Sequence, residues 1–199
     1  MIRIKTDKDI EVMKEGGKRH ASILKKIAER VLVGASSFDI ENYARDLVKQ
    51  EGDRGAFLHY KPVGAKRPYP AVLCVSVNDA IVHGIPNETE YIFKTGDIVS
   101  LDLGLVHKNL ITDSALTVGV GEISTKEKKL LFDTKEALYR GIAEALPGNR
   151  VGDISHAIGS FARSLGYGMA EGLAGHGVGF LVHEDPYVPN EGKKVQGSF

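Results

Sequence analysis

The sequence predicts an α/β protein made of two similar halves, each with a long helix, a glycine turn, a shorter helix and then strands. Three observations lead to this prediction. Apolar residues recur every three or four positions in the first 50 residues and again after residue 124. Apolar and polar residues alternate over 98–106 and 110–118, as in paired strands. Finally, several residues recur at an offset of 114 positions.

The first 52 residues predict two helices. Thr6 and Asp9 have the spacing of a capping box, which marks a helix start. An apolar stripe at helical spacing follows, at Ile10, Met13, Gly17, Ala21, Leu24, Ala28 and Val31. Gly34 interrupts this pattern, Ser37 is expected to cap a second helix, and Gly52 ends it.

The remaining elements follow from turn residues and patterning. Residues 57–70 contain three prolines and predict a loop. Strands are expected at 71–77, 91–93, 98–106 and 110–118. A third helix is expected from a capping box at Ser124 to about Pro147, and a fourth from Asp153 to about Leu165.

The offset of 114 residues relates the two pairs of helices. The residues Leu32, Gly34, Asp39, Ile40 and Gly52 recur as Leu146, Gly148, Asp153, Ile154 and Gly166. We expect a single domain over 1–199 with halves at about 6–119 and 120–199, although chance similarity of turn residues would give the same pattern. The second half is then about 35 residues short, and the missing part corresponds to the strand hairpin of the first half, which indicates a truncated chain.

Composition narrows the class of protein. The formal net charge is zero, with 26 basic and 26 acidic residues, which argues against a protein that binds nucleic acid or membrane surfaces. No apolar run is long enough for a membrane span. Cys74 is the only cysteine, so a reducing cytoplasm is the expected compartment. It lies in an apolar strand and is expected to be a buried residue rather than a nucleophile.

Asp102 and Asp113 lie symmetrically about the dipeptide His107-Lys108. If this dipeptide is the turn of a β-hairpin, the two carboxylates are directly opposed, with Cβ atoms roughly 4.5–5.5 Å apart. Two like charges this close, within apolar strands, need a proton, water or a cation between them. A bridging metal ion fits this need, and two solvated acids on an edge hairpin are the alternative.

Three histidines are candidates for a site. His176 is flanked by glycines that let a ligand approach its imidazole, although a plain turn histidine is also consistent. His183 follows seven residues later, so the backbone must bend if both serve one site, and nearby glycines permit this. His83 ends an apolar strand at a turn. Four others are expected to be structural: His20 and His156 on helices, His59 in the proline-rich loop and His107 in the hairpin turn.

Four tracts together resemble the bacterial type I methionine aminopeptidases of peptidase family M24. They are PYPAVLCVSVNDAIVHGIP, TGDIVSLDLG, TDSALTVGVG and GHGVGFLVHEDP. The resemblance covers nearly the whole chain and implies the pita-bread fold, in which two pseudo-symmetric halves surround a curved antiparallel sheet. It also implies removal of the N-terminal methionine from nascent polypeptides by a metal-activated water.

The resemblance assigns roles to six residues. Asp102, Asp113 and His176 match three of five ligands of two divalent ions, of which Mn, Fe, Co and Zn are all candidates. His83 and His183 match the catalytic histidines that contact the substrate amine and the scissile peptide, and Cys74 matches a position near the methionine pocket. Two glutamate ligands would fall beyond residue 199, so weak metal binding and poor cleavage are expected.

The same resemblance implies a cytoplasmic monomer that contacts the ribosome only transiently. Two alternatives remain open. One is an Xaa-Pro aminopeptidase or dipeptidase of the same superfamily, which cleavage of Xaa-Pro peptides would reveal. The other is an inactive pita-bread module that binds peptides or partner proteins. Such relatives usually lose metal ligands, whereas this chain keeps those that it is long enough to hold.

Overall fold

The computed structural model describes residues 2–198. Its helices are α1 (Asp7–Ala28), α2 (Ser37–Gln50), α3 (Thr125–Ala143) and α4 (Val151–Ser164). Its strands are β1 (Arg54–Gly55), β2 (Leu73–Val77), β3 (Ile98–His107), β4 (Leu110–Gly119), β5 (Ala174–Gly177) and β6 (Glu184–Pro189). Within residues 2–198, no helix has the length and apolar character needed to cross a membrane.

The chain forms two compact units. The first unit comprises residues 4–125 and 178–182, and the second comprises residues 2–3, 126–177 and 183–198. Each therefore draws on separate stretches of the sequence.

The first unit is a four-stranded antiparallel sheet with two helices packed on it. β3 is the central strand: β1 and β2 pair with one edge and β4 with the other. Leu101, Leu103 and Leu105 of β3 are fully buried, in one core with apolar residues of α1 and α2. Because side chains alternate along a strand, Asp102 lies on the opposite face of the sheet from these leucines.

The turn between β3 and β4 differs from the sequence prediction. Its central residues are Lys108 and Asn109, both with positive φ (47° and 67°), as in a type I′ hairpin. Asp102 therefore pairs with Ala115, and Asp113 pairs with Gly104. The prediction of directly opposed aspartates was wrong by two residues. Since the shift is even, both stay on one face and become diagonal neighbours, which are still within side-chain reach.

Three local predictions also need correction. His107 is not in the turn: it is the last residue of β3, buried, with Nδ1 2.7 Å from Asp53 Oδ1. Ser36 rather than Ser37 caps α2, because the Ser36 hydroxyl accepts the hydrogen bond from the Phe38 amide. Residues 91–93 form no strand, only an isolated bridge from Ile92 to Ser36.

The second unit contains α3, α4 and the antiparallel pair β5–β6. The helix α4 starts and ends 114 positions after the helix α2, and each has 14 residues. The glycines that follow them, Gly52 and Gly166, have positive φ (75° and 82°), a conformation that glycine adopts without strain. The offset seen in the sequence thus corresponds to matching helix ends in the structure.

Candidate metal and substrate site

The carboxylates of Asp102 and Asp113 share one face of the β3–β4 hairpin in the first unit. Burial is the main cause that raises the pKa of Asp113 above its ordinary value, and the charge of Asp102 and a hydrogen bond with its carboxyl add to the rise. The pair is therefore an unfavourable arrangement of two acids that a proton or a cation relieves. Paired carboxylates of this kind are ligands that divalent ions such as Mn²⁺ accept.

Within residues 2–198, no group of three or more His, Cys, Asp or Glu side chains forms a metal-binding cluster by itself. The donor chemistry of the aspartate pair fits a divalent cation, because both groups are hard oxygen ligands and their mutual repulsion would be neutralised by positive charge. The assignment of Asp102 and Asp113 as metal ligands stays a prediction.

Cys74 lies directly beside Asp102, as its partner in the pairing of β2 with β3. Its side chain is buried, and burial raises the pKa of its thiol to about 12, with smaller contributions from the two aspartates, against the lowering effect of its hydrogen bond with the Tyr69 hydroxyl. The thiol is thus neutral at physiological pH. This agrees with the expectation that Cys74 is not a nucleophile.

His83 lies in a turn that is hydrogen-bonded to the free edge of β2. The amide of Val75 donates to the Gly84 carbonyl (3.0 Å), and the amide of Gly84 donates to the Ser76 hydroxyl (3.0 Å). A Cβ on Gly84 would lie 2.1 Å from the Val75 carbonyl oxygen, so only glycine fits there. His83 itself has φ of 60°, and its side chain is exposed. A turn that is hydrogen-bonded to β2 thus presents this imidazole to solvent.

Two residues that the sequence did not single out hold the same region together. The Tyr69 hydroxyl lies 2.8 Å from the Gly84 carbonyl oxygen and 3.2 Å from that of Leu73. The Glu41 carboxylate accepts hydrogen bonds from the amides of Val72 and Leu73. The place of Tyr69 between two prolines, just before a strand, was a sequence signal that could have identified it. Glu41 lies within a helix, and no sequence signal marked it.

The second unit brings His176 and His183 together. Their ring centroids are 4.3 Å apart, with an interplanar angle of 60°. The strand β5 ends at Gly177, where the pairing with β6 shifts register, and a Cβ on Gly177 would lie 2.3 Å from the Asp185 carbonyl oxygen. The backbone therefore leaves the strand between the two histidines, as the seven-residue separation required.

The hydrogen bond of His176 sets its tautomer. Nδ1 lies 2.9 Å from the Gly177 carbonyl oxygen. Because a carbonyl only accepts, Nδ1 is the donor, and in the neutral imidazole Nε2 is then the nitrogen with a free lone pair. An imidazole oriented in this way by a backbone carbonyl is typical of metal-binding histidines.

Comparison with known proteins adds family information. The model of the family described as metallopeptidase family M24 matches residues 11–197. A methionine aminopeptidase from Aquifex aeolicus is 42% identical over 98% of this chain and 75% of its own length. One from Clostridium acetobutylicum is 37% identical over 99% of this chain and 76% of its own length.

Solved structures give the same pattern. A methionine aminopeptidase from Thermotoga maritima superimposes with a TM-score of 0.92 at 39% identity, over 99% of this chain and 76% of its own. An X-Pro aminopeptidase from the same organism reaches a TM-score of 0.77 at 22% identity, over 94% of this chain and 50% of its own. The second likeness shows a shared fold alone. The predicted α/β pita-bread class is confirmed by the first.

Proposed function

The chain belongs to the methionine aminopeptidases of metallopeptidase family M24, and from this premise we propose that it removes the N-terminal methionine from nascent polypeptides. The observation that carries the proposal is the pair Asp102 and Asp113, two acids held on one face of the β3–β4 hairpin at mutual electrostatic cost. Such a pair is useful when it holds cations.

We propose that Asp102, Asp113 and the Nε2 atom of His176 hold two divalent ions, whose identity among Mn, Fe, Co and Zn depends on availability. Ions bound there would lower the pKa of a shared water and polarise the scissile carbonyl. The raised pKa of Asp113 supports this role, since a cation would replace the proton that the pair otherwise favours.

The other histidines act on the substrate in this proposal. The exposed imidazole of His83, fixed by its turn, positions the scissile amide, and His183 donates a hydrogen bond to the tetrahedral intermediate. Cys74 contributes a neutral, weakly polar surface beside the methionine side chain. In this proposal the metal site also binds the free amino group of the substrate, which confines cleavage to the bond after the first residue.

The test compares three peptides in the presence of each metal: a free Met-Ala peptide, its N-acetylated form and an Ala-Pro peptide. We expect slow methionine release from the first alone, abolished by a chelator. Asp102→Asn and Asp113→Asn should each lower the rate about 100-fold or more, since even loss of a residue that only orients a metal ligand costs about 10–100-fold. Asp46→Asn, which changes an exposed acid on α2, is the matched control.

The other outcomes identify the alternatives. Cleavage of the Ala-Pro peptide would place the activity with the Xaa-Pro enzymes. Peptide binding without cleavage under any metal would indicate a binding module. Weak metal binding by the 199-residue chain also stays a prediction: calorimetric titration that gives two tightly bound ions would contradict it.

The cellular setting belongs to the same proposal. We expect a cytoplasmic monomer that meets its substrates as they leave the ribosome, with no stable ribosome complex. Light scattering of the purified protein tests the first point, and co-sedimentation with ribosomes tests the second. A stable dimer, or binding that survives sedimentation, would contradict this description.

A further inference from the structure

Glu41 is the most deeply buried acid of the first unit, with 1% of its surface exposed. It lies on α2 among apolar residues of the core-facing stripe. Burial is the main cause that raises its pKa above the ordinary value, against hydrogen bonds and Arg45, which lower it. An isolated buried carboxylate is strongly unfavourable, so its retention indicates compensating contacts.

The Glu41 carboxylate contacts two amides of the segment that leads into β2, and Arg45 of its own helix. One oxygen of the Glu41 carboxylate accepts from the Val72 amide (2.9 Å), and the other accepts from the Leu73 amide (3.1 Å). Arg45 Nε lies 2.6 Å from the same carboxylate. Arg45 also donates to the Pro70 carbonyl (2.8 Å), so the pair hydrogen-bonds the backbone at three residues, Pro70, Val72 and Leu73.

Further hydrogen bonds follow the free edge of β2. The edge opposite β3 is covered first by Glu41, then by the Tyr69 hydroxyl at the Leu73 carbonyl, and then by Gly84 at the Val75 amide. Tyr69 also bonds Gly84, which follows His83. One continuous set of hydrogen bonds thus connects Glu41 to the strand that carries Cys74 and to the turn that carries His83.

We propose that Glu41, oriented by Arg45, is a positioning residue for the aminopeptidase reaction. It acts through the 70–73 backbone, fixing where Cys74 and the His83 turn lie relative to the substrate. This inference rests on the proposed function. A carboxylate is required because both oxygens accept from amides, and a glutamine would turn an NH₂ group towards one of those donors.

The experiment compares Glu41→Gln with Glu136→Gln. Glu136 and Arg140 form the same i,i+4 ion pair on α3, but the pair is exposed and hydrogen-bonds no loop among the described residues 2–198. Three quantities are measured: reaction of the single cysteine with a thiol reagent, hydrogen exchange at the amides of Val72 and Leu73, and kcat and KM for a Met-Ala peptide.

We expect Glu41→Gln to speed the thiol reaction and the exchange of both amides about 10-fold, because opening of the segment loses charge-assisted bonds. KM should rise about 10-fold while kcat changes less than about 3-fold, since ground state and transition state lose the same contacts. Glu136→Gln should change none of these. Arg45→Lys, which keeps the charge and the Glu41–amide bonds, should give smaller changes in the same direction and serves if Glu41→Gln does not fold.

Each other outcome is decisive. Unchanged thiol and amide rates in Glu41→Gln would overturn the inference. Faster rates with unchanged KM and kcat would overturn the positioning role and leave a structural one. A wild-type protein that releases no methionine would refute the proposed function instead, while the thiol and exchange rates would still decide whether Glu41 orders the segment.

Discussion

His20 makes the stability of this protein depend on pH in a way that the structure quantifies. Its side chain is 2% exposed on α1, and Nδ1 lies 2.9 Å from the Thr112 hydroxyl oxygen on β4. Burial lowers the pKa of His20 from 6.5 to about 4, against backbone hydrogen bonds with Ser114 and Thr112 that raise it. The folded protein therefore holds this imidazole neutral.

The sign and size of the effect follow from proton linkage. Between pH values of about 4 and 6.5, the unfolded chain binds a proton at His20 and the folded chain does not. The free energy of unfolding therefore falls as the pH is lowered through this window. The full difference corresponds to about 3 kcal/mol, of which about 2 kcal/mol is lost between about pH 7.5 and about pH 5.

His20→Gln isolates this contribution, because glutamine keeps a polar group for the Thr112 hydroxyl but does not titrate. Urea unfolding of wild type and variant at about pH 7.5 and about pH 5 gives four free energies. We expect the wild type to lose about 2 kcal/mol more than the variant on acidification. His59→Gln, at an exposed turn, should behave like the wild type. Equal losses in wild type and His20→Gln would refute the reasoning.

Three further features are tested through thermal or urea unfolding. Gly84→Ala should lower the free energy of unfolding by about 1–3 kcal/mol, because its Cβ would meet the Val75 carbonyl. Gly17→Ala, in open space on α1, should raise it by about 0.5–1 kcal/mol. Equal effects of the two substitutions would contradict the packing argument. Asn109→Gly should be tolerated, and Asn109→Val should cost about 1–3 kcal/mol because a β-branched residue resists positive φ; a neutral Val variant would argue against the type I′ turn. Thr6→Ala should cost about 1 kcal/mol through loss of the capping box of α1, and an unchanged midpoint would show that the cap contributes nothing.

The sequence could predict the strands of the hairpin but not their register. Alternation alone identifies the strands of residues 98–106 and 110–118, because a half-buried strand has period two. Register depends on which two residues form the turn. Asn109 favours positive φ and was an available signal for a type I′ turn, whereas Lys108 gave none. The aspartates still share a face because the error was even, and an odd error would have separated them.

In the candidate site, too, features that depend on neighbouring residues could be predicted, and contacts between residues far apart in sequence could not. The sequence predicts that His176 and His183 can lie close together if the backbone bends between them, and the glycines that permit the bend are adjacent in sequence. Glu41 could not be identified, since its carboxylate is satisfied by amides some thirty positions away. Residues 91–93 look like a strand, but the Tyr91 amide donates to the Ser37 hydroxyl instead of to a neighbouring strand.

The coverage of the free edge of β2 has a consequence for self-association. An exposed strand edge is a template on which a strand of another molecule can add, and such growth repeats because each added strand offers a new edge. A carboxylate bonds the Leu73 amide, a phenol bonds the Leu73 carbonyl and a tight turn bonds the Val75 amide, and none of the three offers a strand edge of its own. Sheet growth therefore terminates at β2, and the contacts that order this segment also oppose polymerisation of the folded protein.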